Sequence, residues 1–212
     1  MSEQMNVDVA IIGAGTAGLY ALREVRRAKK SFVLIDTGPL GTTCARVGCM
    51  PSKVALHIGE SWHAQKDFPR YGISGAEHLQ LDTQQAWAEL RRQRDNFAGG
   101  AAAGAERAAG EQLIMGRARF LTPTLLEVEQ AHGKQQIQAK AVIIATGSRP
   151  VLPGFLQPFA EHCITTDDFF EMQELPKTIG ILGLGAIGLE MGLALSRLGV
   201  EVHGADMATS VG

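Results

Sequence analysis

Residues 41–53 read GTTCARVGCMPSK and hold two of the chain's three cysteines. Cys44 and Cys49 lie five apart, with Gly48 between them and Pro51 and Lys53 just after. Thiols so placed serve as a metal pair, a redox couple or a structural bridge. A bridge here closes a short loop, worth about 2 kcal/mol in the chain-entropy picture before strain is subtracted. In a reducing cytosol such a bridge has little use. An odd number of cysteines also does not make the framework of a small secreted domain. A metal pair needs further ligands, and no His or Cys lies between these two or directly after them, so no metal site is expected. Coincidence is the bland alternative, and the flanking elements decide its weight.

Upstream, VDVAII (7–12) is a β-branched apolar run. GAGTAG follows at once, then LYALREVRRAKK, an amphipathic helix with a basic end, then FVLID (32–36). This is strand, glycine turn, helix, strand, acid. Gly13, Gly15 and Gly18 let the turn close and let backbone approach a pyrophosphate at the helix N-terminus. Asp36 stands where an acid accepts ribose hydroxyls. The pattern recurs. IGIL (179–182) leads into GLGAIGLE, with Gly183, Gly185 and Gly188, and VEVHGAD ends on Asp206. Both acids lie eighteen residues past the last glycine of their turn (36 − 18 and 206 − 188). Two fingerprints argue for two dinucleotides. VEVHGAD is the weaker strand, because His203 and Gly204 interrupt it.

Between the copies, residues 54–66 and 82–108 read as helices. Arg91, Arg92 and Arg94 are expected on a solvated face, and Gly99–Gly100 marks a break or a close helix contact. Residues 113–120, 124–130 and 135–139 read as a small antiparallel meander with a turn at His132–Gly133. AVIIA (141–145) reads as a separate buried strand. Thr146 and Gly147 follow at its carboxyl end, where ligands of open α/β sheets bind. Pro150, Pro153 and Pro158 mark a linker. The expectation is α/β: residues 1–150 as one dinucleotide domain with the meander, and residues 151–212 as the start of a second.

Composition narrows the partners. A net charge of −2 over 212 residues offers no general attraction to nucleic acid or to an acidic membrane surface. No apolar run is long enough to span a bilayer, and MSEQMN is unlike a signal peptide. A cytoplasmic protein is expected.

In this order, GAGTAG with Asp36, GTTCARVGCMPSK, ATGSRP and GLGAIGLE resemble the flavin-dependent pyridine nucleotide–disulfide oxidoreductases. The likeness covers essentially the whole chain and is greatest to the dihydrolipoamide dehydrogenase branch, with mercuric and glutathione reductases as relatives. It implies that Gly13, Gly15, Gly18 and Asp36 hold the ADP half of FAD, that Thr43 lies near the flavin phosphates, and that the second fingerprint takes NAD(P)H. It implies that Cys44 and Cys49 form a redox-active disulfide, Cys44 exchanging with substrate and Cys49 donating charge to the flavin. Lys53 then pairs with Glu190; on its own it would read as a surface lysine. Residues five apart on one regular helix face apart, so Cys44 must precede the helix or sit in a distorted turn. Pro51 suits a first turn, so a helix starting near Cys49 is expected, with its dipole favouring a thiolate there. Asp206 favours NAD over NADP, because a carboxylate repels a 2′-phosphate.

Thr42, Arg46 and Met50 depart from the family's usual residues, which loosens the substrate assignment more than the disulfide one. Pro-Ser-Lys favours the lipoamide or mercury branch. Cys163 matches no catalytic position and reads as a packing residue. Family members are longer, so the chain reads as the N-terminal portion of such an enzyme, incomplete alone. The later FAD-binding segment, the dimer-forming C-terminal domain and its His–Glu acid–base pair then lie elsewhere, and residues 151–212 are expected to be the less stable part. The implied partners are a small-molecule or protein-bound disulfide or dithiol such as lipoamide, a second copy in the full-length homodimer, and a 2-oxo acid dehydrogenase complex. Two other readings stand beside the enzyme: a flavin-binding fragment without turnover, and a metal- or thiol-binding protein without flavin.

Overall fold

The structure, a computed structural model, describes residues 4–209. In chain order its elements are β1 (Met5–Ile12), α1 (Thr16–Arg27), β2 (Phe32–Asp36), α2 (Thr43–Val47), α3 (Cys49–His63), α4 (Thr83–Ala109), β3 (Leu113–Met115), β4 (Arg117–Phe120), β5 (Leu125–Gln130), β6 (Gly133–Ile144), α5 (Thr166–Phe169), β7 (Thr178–Leu182), α6 (Ala186–Arg197) and β8 (Glu201–Ala205). The chain forms two compact units. One combines Met1–Arg46 with Asn96–Val151, and the other Val47–Asp95 with Leu152–Gly212. The fold is α/β.

The first unit is built on a six-stranded sheet in the order β3-β2-β1-β6-β5-β4. β3, β2, β1 and β6 run parallel, and β6, β5 and β4 form an antiparallel meander. The central strands are apolar on both faces, as parallel strands covered on both sides must be. Ile11 and Leu34 pack with Leu22 and Val25 of α1 and with Ala109 of α4. Val7, Ala10, Val33 and Ile35 pack on the opposite side with Leu126, Val128 and Ile137. β6 is one strand rather than the expected two. Its start pairs with β5 and its end with β1, so the meander shares a strand with the parallel sheet. Lys140 breaks the apolar pattern that would have shown this; it reaches outward to Asp8 at 2.8 Å.

α4 runs unbroken through Gly99–Gly100, and a Cβ at either would meet nothing within 4 Å. These glycines therefore mark neither a break nor a close contact.

In the second unit, β7 and β8 pair in parallel. Gly204, which weakened the reading of this strand, has a reason: a Cβ there would lie 2.8 Å from the Leu184 side chain. The core joins Val54 and Ala55 of α3, Trp87 and Leu90 of α4, Phe169 and Phe170, and Met191, Ala194 and Leu195 of α6. Arg94, expected at the surface, is buried; its guanidinium is held by Asp95 and Glu171, each at 2.6 Å. Arg91 donates to the Met172 carbonyl. Arg91 and Arg94 thus fasten α4 to residues 171–172, while Arg92 stays at the surface and pairs with Glu89 of its own helix.

α3 and α6 meet closely at Gly59, where a Cβ would stand 3.1 Å from the Ala194 carbonyl oxygen and 3.3 Å from Arg197 Cβ. Gly59→Leu should destabilise the protein by about 1–2 kcal/mol, overpacking outweighing the gain in helix propensity. Denaturant unfolding followed by circular dichroism checks this; an unchanged midpoint would show that α3 and α6 separate freely.

Candidate functional site

The parallel direction of β1, β2 and β6 brings their carboxyl ends together, and with them most of the expected residues of the first fingerprint. The three glycines there do different things. Gly13 has φ +109°, and a Cβ on it would lie 2.2 Å from the Ala145 carbonyl oxygen and 3.2 Å from the Thr146 nitrogen. A Cβ on Gly18 would lie 1.7 Å from the Gly13 carbonyl oxygen. At Gly15 nothing lies within 4 Å. The outer glycines make the turn, and the middle one leaves space above it. α1 starts beside that space, with no side-chain cap and no acid in its first turn, so its first amides are available to an anion.

Asp36 secures the turn. Its carboxylate accepts from the Ala14 amide at 2.6 Å and from the Gly38 amide at 2.6 Å. Each oxygen retains a lone pair for another donor. Thr146 and Gly147, the latter at φ +70°, lie exposed at the same end of the sheet. Thr43 opens α2 and is exposed, and Cys44 beside it is half-buried. Thr42 holds a φ of +61°, unusual for a β-branched residue, and its hydroxyl accepts from the Ala45 amide at 3.1 Å.

The second unit repeats the first fingerprint's pattern. A Cβ on Gly188 would lie 2.0 Å from the Gly183 carbonyl oxygen, whereas Gly183 and Gly185 have open space. Asp206 accepts from the Leu184 amide and, at 2.8 Å, from the Ala208 amide. These bonds, that from Ala208 foremost, hold its carboxyl below the usual range.

α3 begins at Cys49, with Gly48 outside it and Pro51 in its first turn. Cys49, Ser52 and Lys53, at i, i+3 and i+4, share one face of the helix. Cys49 is exposed. Lys53 forms a close ion pair with Glu190 of α6, and Ser52 Oγ lies 3.3 Å from the other oxygen of that carboxylate. Glu190 is held below its ordinary value of 4.5, chiefly by Lys53 and further by Ser52, against partial desolvation. Cys163 is half-buried. Among the described residues, no group of three or more His, Cys, Asp or Glu side chains is arranged to hold a metal, and no helix is long and apolar enough to cross a membrane.

The sequence profile of the pyridine nucleotide-disulphide oxidoreductases matches residues 7–211. The chain belongs to that family. It is 35% identical over 208 residues to a dihydrolipoyl dehydrogenase of Trypanosoma brucei brucei, covering 95% of this chain and 42% of the relative. A glutathione reductase of Schizosaccharomyces pombe is 32% identical over 202 residues, covering 92% and 42%. A mercuric reductase of Lysinibacillus sphaericus is 30% identical over 208 residues, covering 93% and 35%. The solved Cu(II) complex of the HOCl-induced flavoprotein disulfide reductase RclA from Escherichia coli superposes with a TM-score of 0.74 at 21% identity, over 96% of this chain and 43% of that one. This last likeness shows the fold. The chain spans 42% of the length of the first two relatives.

Pyridine nucleotide-disulphide oxidoreductases use FAD and NAD(P)H. The residues present fit such ligands. The space over Gly15 is a cradle that any side chain would fill, and the uncapped α1 suits a pyrophosphate. The motifs alone do not predict the backbone clamp on each acid or the Ser52–Glu190 contact. The Asp36-Thr37-Gly38 turn was the available signal, because Asp side chains accept from the amide two residues on.

Two predictions follow from this geometry. Gly18→Ala should cost roughly 2–3 kcal/mol of stability, while Gly15→Ala should change it by less than about 0.5 kcal/mol. Equal melting temperatures for the two would contradict the assigned roles. Lys53→Met should raise the Glu190 carboxyl toward 4.5, since the largest influence holding it down is removed. A carboxyl held low in the folded state adds stability above its unfolded pKa, and that stability is lost as pH falls through its folded pKa. The variant should therefore lose part of the wild type's rise in stability between acid and neutral pH, as measured by unfolding at several pH values.

Proposed function

We propose that this chain belongs to a flavoprotein passing electrons between NAD(H) and a Cys44–Cys49 disulfide, with dihydrolipoamide as the thiol substrate: dihydrolipoamide and NAD⁺ give lipoamide, NADH and a proton. By ligand, residues 1–150 are the FAD-binding segment and 151–212 the start of the NAD-binding one, a division along the chain distinct from the two compact units. The observation that carries the reading is the duplicated turn, each copy with an open middle glycine and a clamped acid, in one chain with the Cys-x4-Cys segment. FAD, when bound, transfers an electron pair between nicotinamide and disulfide.

The chain's own residues do the rest. Gly13, Gly15 and Gly18 admit the pyrophosphate, and Asp36 takes ribose hydroxyls on its remaining lone pairs. Thr43, Thr146 and Gly147 border the same ligand. Gly183, Gly185, Gly188 and Asp206 repeat this for the second dinucleotide, and the Asp206 charge selects NAD. Cys44 exchanges with the substrate sulfur. Cys49 stands exposed at the start of α3, where a partner sulfur and the flavin can reach it. Lys53, anchored by Glu190, supplies positive charge on the same helix face. The dihydrolipoyl dehydrogenase relative, at 35% identity, supports the lipoamide branch. Glutathione and mercuric reductase relatives share the chemistry and differ in what Cys44 meets. The working form is a cytoplasmic homodimer, and a 2-oxo acid dehydrogenase complex is its partner.

Gly15→Leu should abolish flavin binding while the fold persists, read by flavin absorbance and circular dichroism of the purified protein; full flavin occupancy would make the fingerprint incidental. Thiol titration of the denatured, unreduced protein should find one thiol, Cys163, and three would overturn the redox couple. The full protein containing this chain should oxidise dihydrolipoamide with NAD⁺. Preference for glutathione disulfide or Hg(II) with NADPH would reassign the substrate.

A further inference from the structure

Ser52 is one of the few buried polar side chains, at 8% exposure, and sits between the two parts of the site on α3 and α6. Its hydroxyl lies 3.0 Å from the Cys49 carbonyl oxygen and 3.3 Å from Glu190 Oε2. Glu190 Oε1 faces Lys53. The serine has one proton for two acceptors. A charged acceptor makes the stronger bond, so ionised Glu190 draws that proton, and the Cys49 carbonyl takes it when the carboxylate is neutralised or turned away.

We infer that Ser52 is a positioning residue: its hydroxyl orients the Glu190 carboxylate toward Lys53 and ties that ion pair to the helix turn that carries Cys49. The consequence for turnover rests on the redox reading above; the link itself does not. A carboxylate bound by Lys53 alone can rotate about its end, exchanging the oxygen that meets the ammonium. With Ser52 on the second oxygen, both ends are specified. The hydroxyl adds little to folding in its own right. Ala is the better helix former, the Cys49 carbonyl keeps its ordinary helical partner four residues on, and Glu190 is half-exposed, so water replaces the lost donor.

The test uses Ser52→Ala and Ser52→Thr. In the protein without cofactor, glutamate carboxyls labelled with carbon-13 are titrated by NMR, the Glu190 signal being assigned with Glu190→Gln. Ser52→Ala should raise the Glu190 midpoint and leave the melting temperature within about 2 °C. Ser52→Thr, which keeps the hydroxyl, should restore the midpoint. In the flavin-loaded protein, Ser52→Ala should slow flavin reduction by NADH roughly three- to tenfold, with its acid limb moved to higher pH. An unchanged Glu190 midpoint overturns the assignment. So does a fallen melting temperature with an unchanged midpoint, which is the mark of a merely structural serine. A shifted midpoint in a protein that binds no flavin upholds the role of Ser52 and removes the redox reading instead.

Discussion

A hydrogen fits on Gly18 where a methyl does not: the missing Cβ would stand 1.7 Å from the Gly13 carbonyl oxygen. That contact is what lets the chain pass from β1 into α1 without a longer loop. The geometry of the turn at that end of the sheet depends on it. The tight turn sets the start of α1 at the end of β1, leaves its first amides uncapped, and brings the Ala14 amide within reach of Asp36 at the end of β2. The strand ends would still gather without it, because β1, β2 and β6 are parallel. They would gather around a loop, with no fixed amides to meet an anion.

A second close approach plays the same part in the other unit. Gly59 lets α3 lie against the Ala194 backbone of α6. The opening turns of the two helices carry the polar groups of the proposed site, Cys49, Ser52 and Lys53 on one and Glu190 on the other. Packing farther along the helices thus sets a polar geometry near their starts. The ion pair is half-exposed and contributes little to stability by itself. Its value lies in where the charges are held.

Both fingerprints and the helix start at Cys49 were legible in the sequence, because each rests on a local pattern: glycine spacing, proline position, apolar runs. What escaped depended on contacts distant in sequence. Lys140 disguised the continuity of β6 because its partner is Asp8, 132 residues away. Arg94 looked like a surface residue because its partner Glu171 lies 77 positions on. Gly204 looked like a strand defect, yet a Cβ there would come within 2.8 Å of the end of the Leu184 side chain. The sequence reading divided the chain at residue 150 by its two fingerprints. Spatial contact groups residues 47–95 with the segment from 152 onward, and local patterns carry no information about that. Ser52 was in plain view within Pro-Ser-Lys, but a serine acquires meaning only from what faces it.

The open space over Gly15 has an evolutionary consequence. Substitution at Gly13 or Gly18 strikes backbone and is purged with the fold itself. A change at Gly15 strikes nothing inside the protein. On the proposed reading, selection acts on that position chiefly through the ligand, besides its place as the N-cap of α1. A lineage that ceased to need its nucleotide would drift first at residue 15 and keep its architecture. Under the proposed function, glycine at that one position, more than at the two beside it, is the residue that would record continued use.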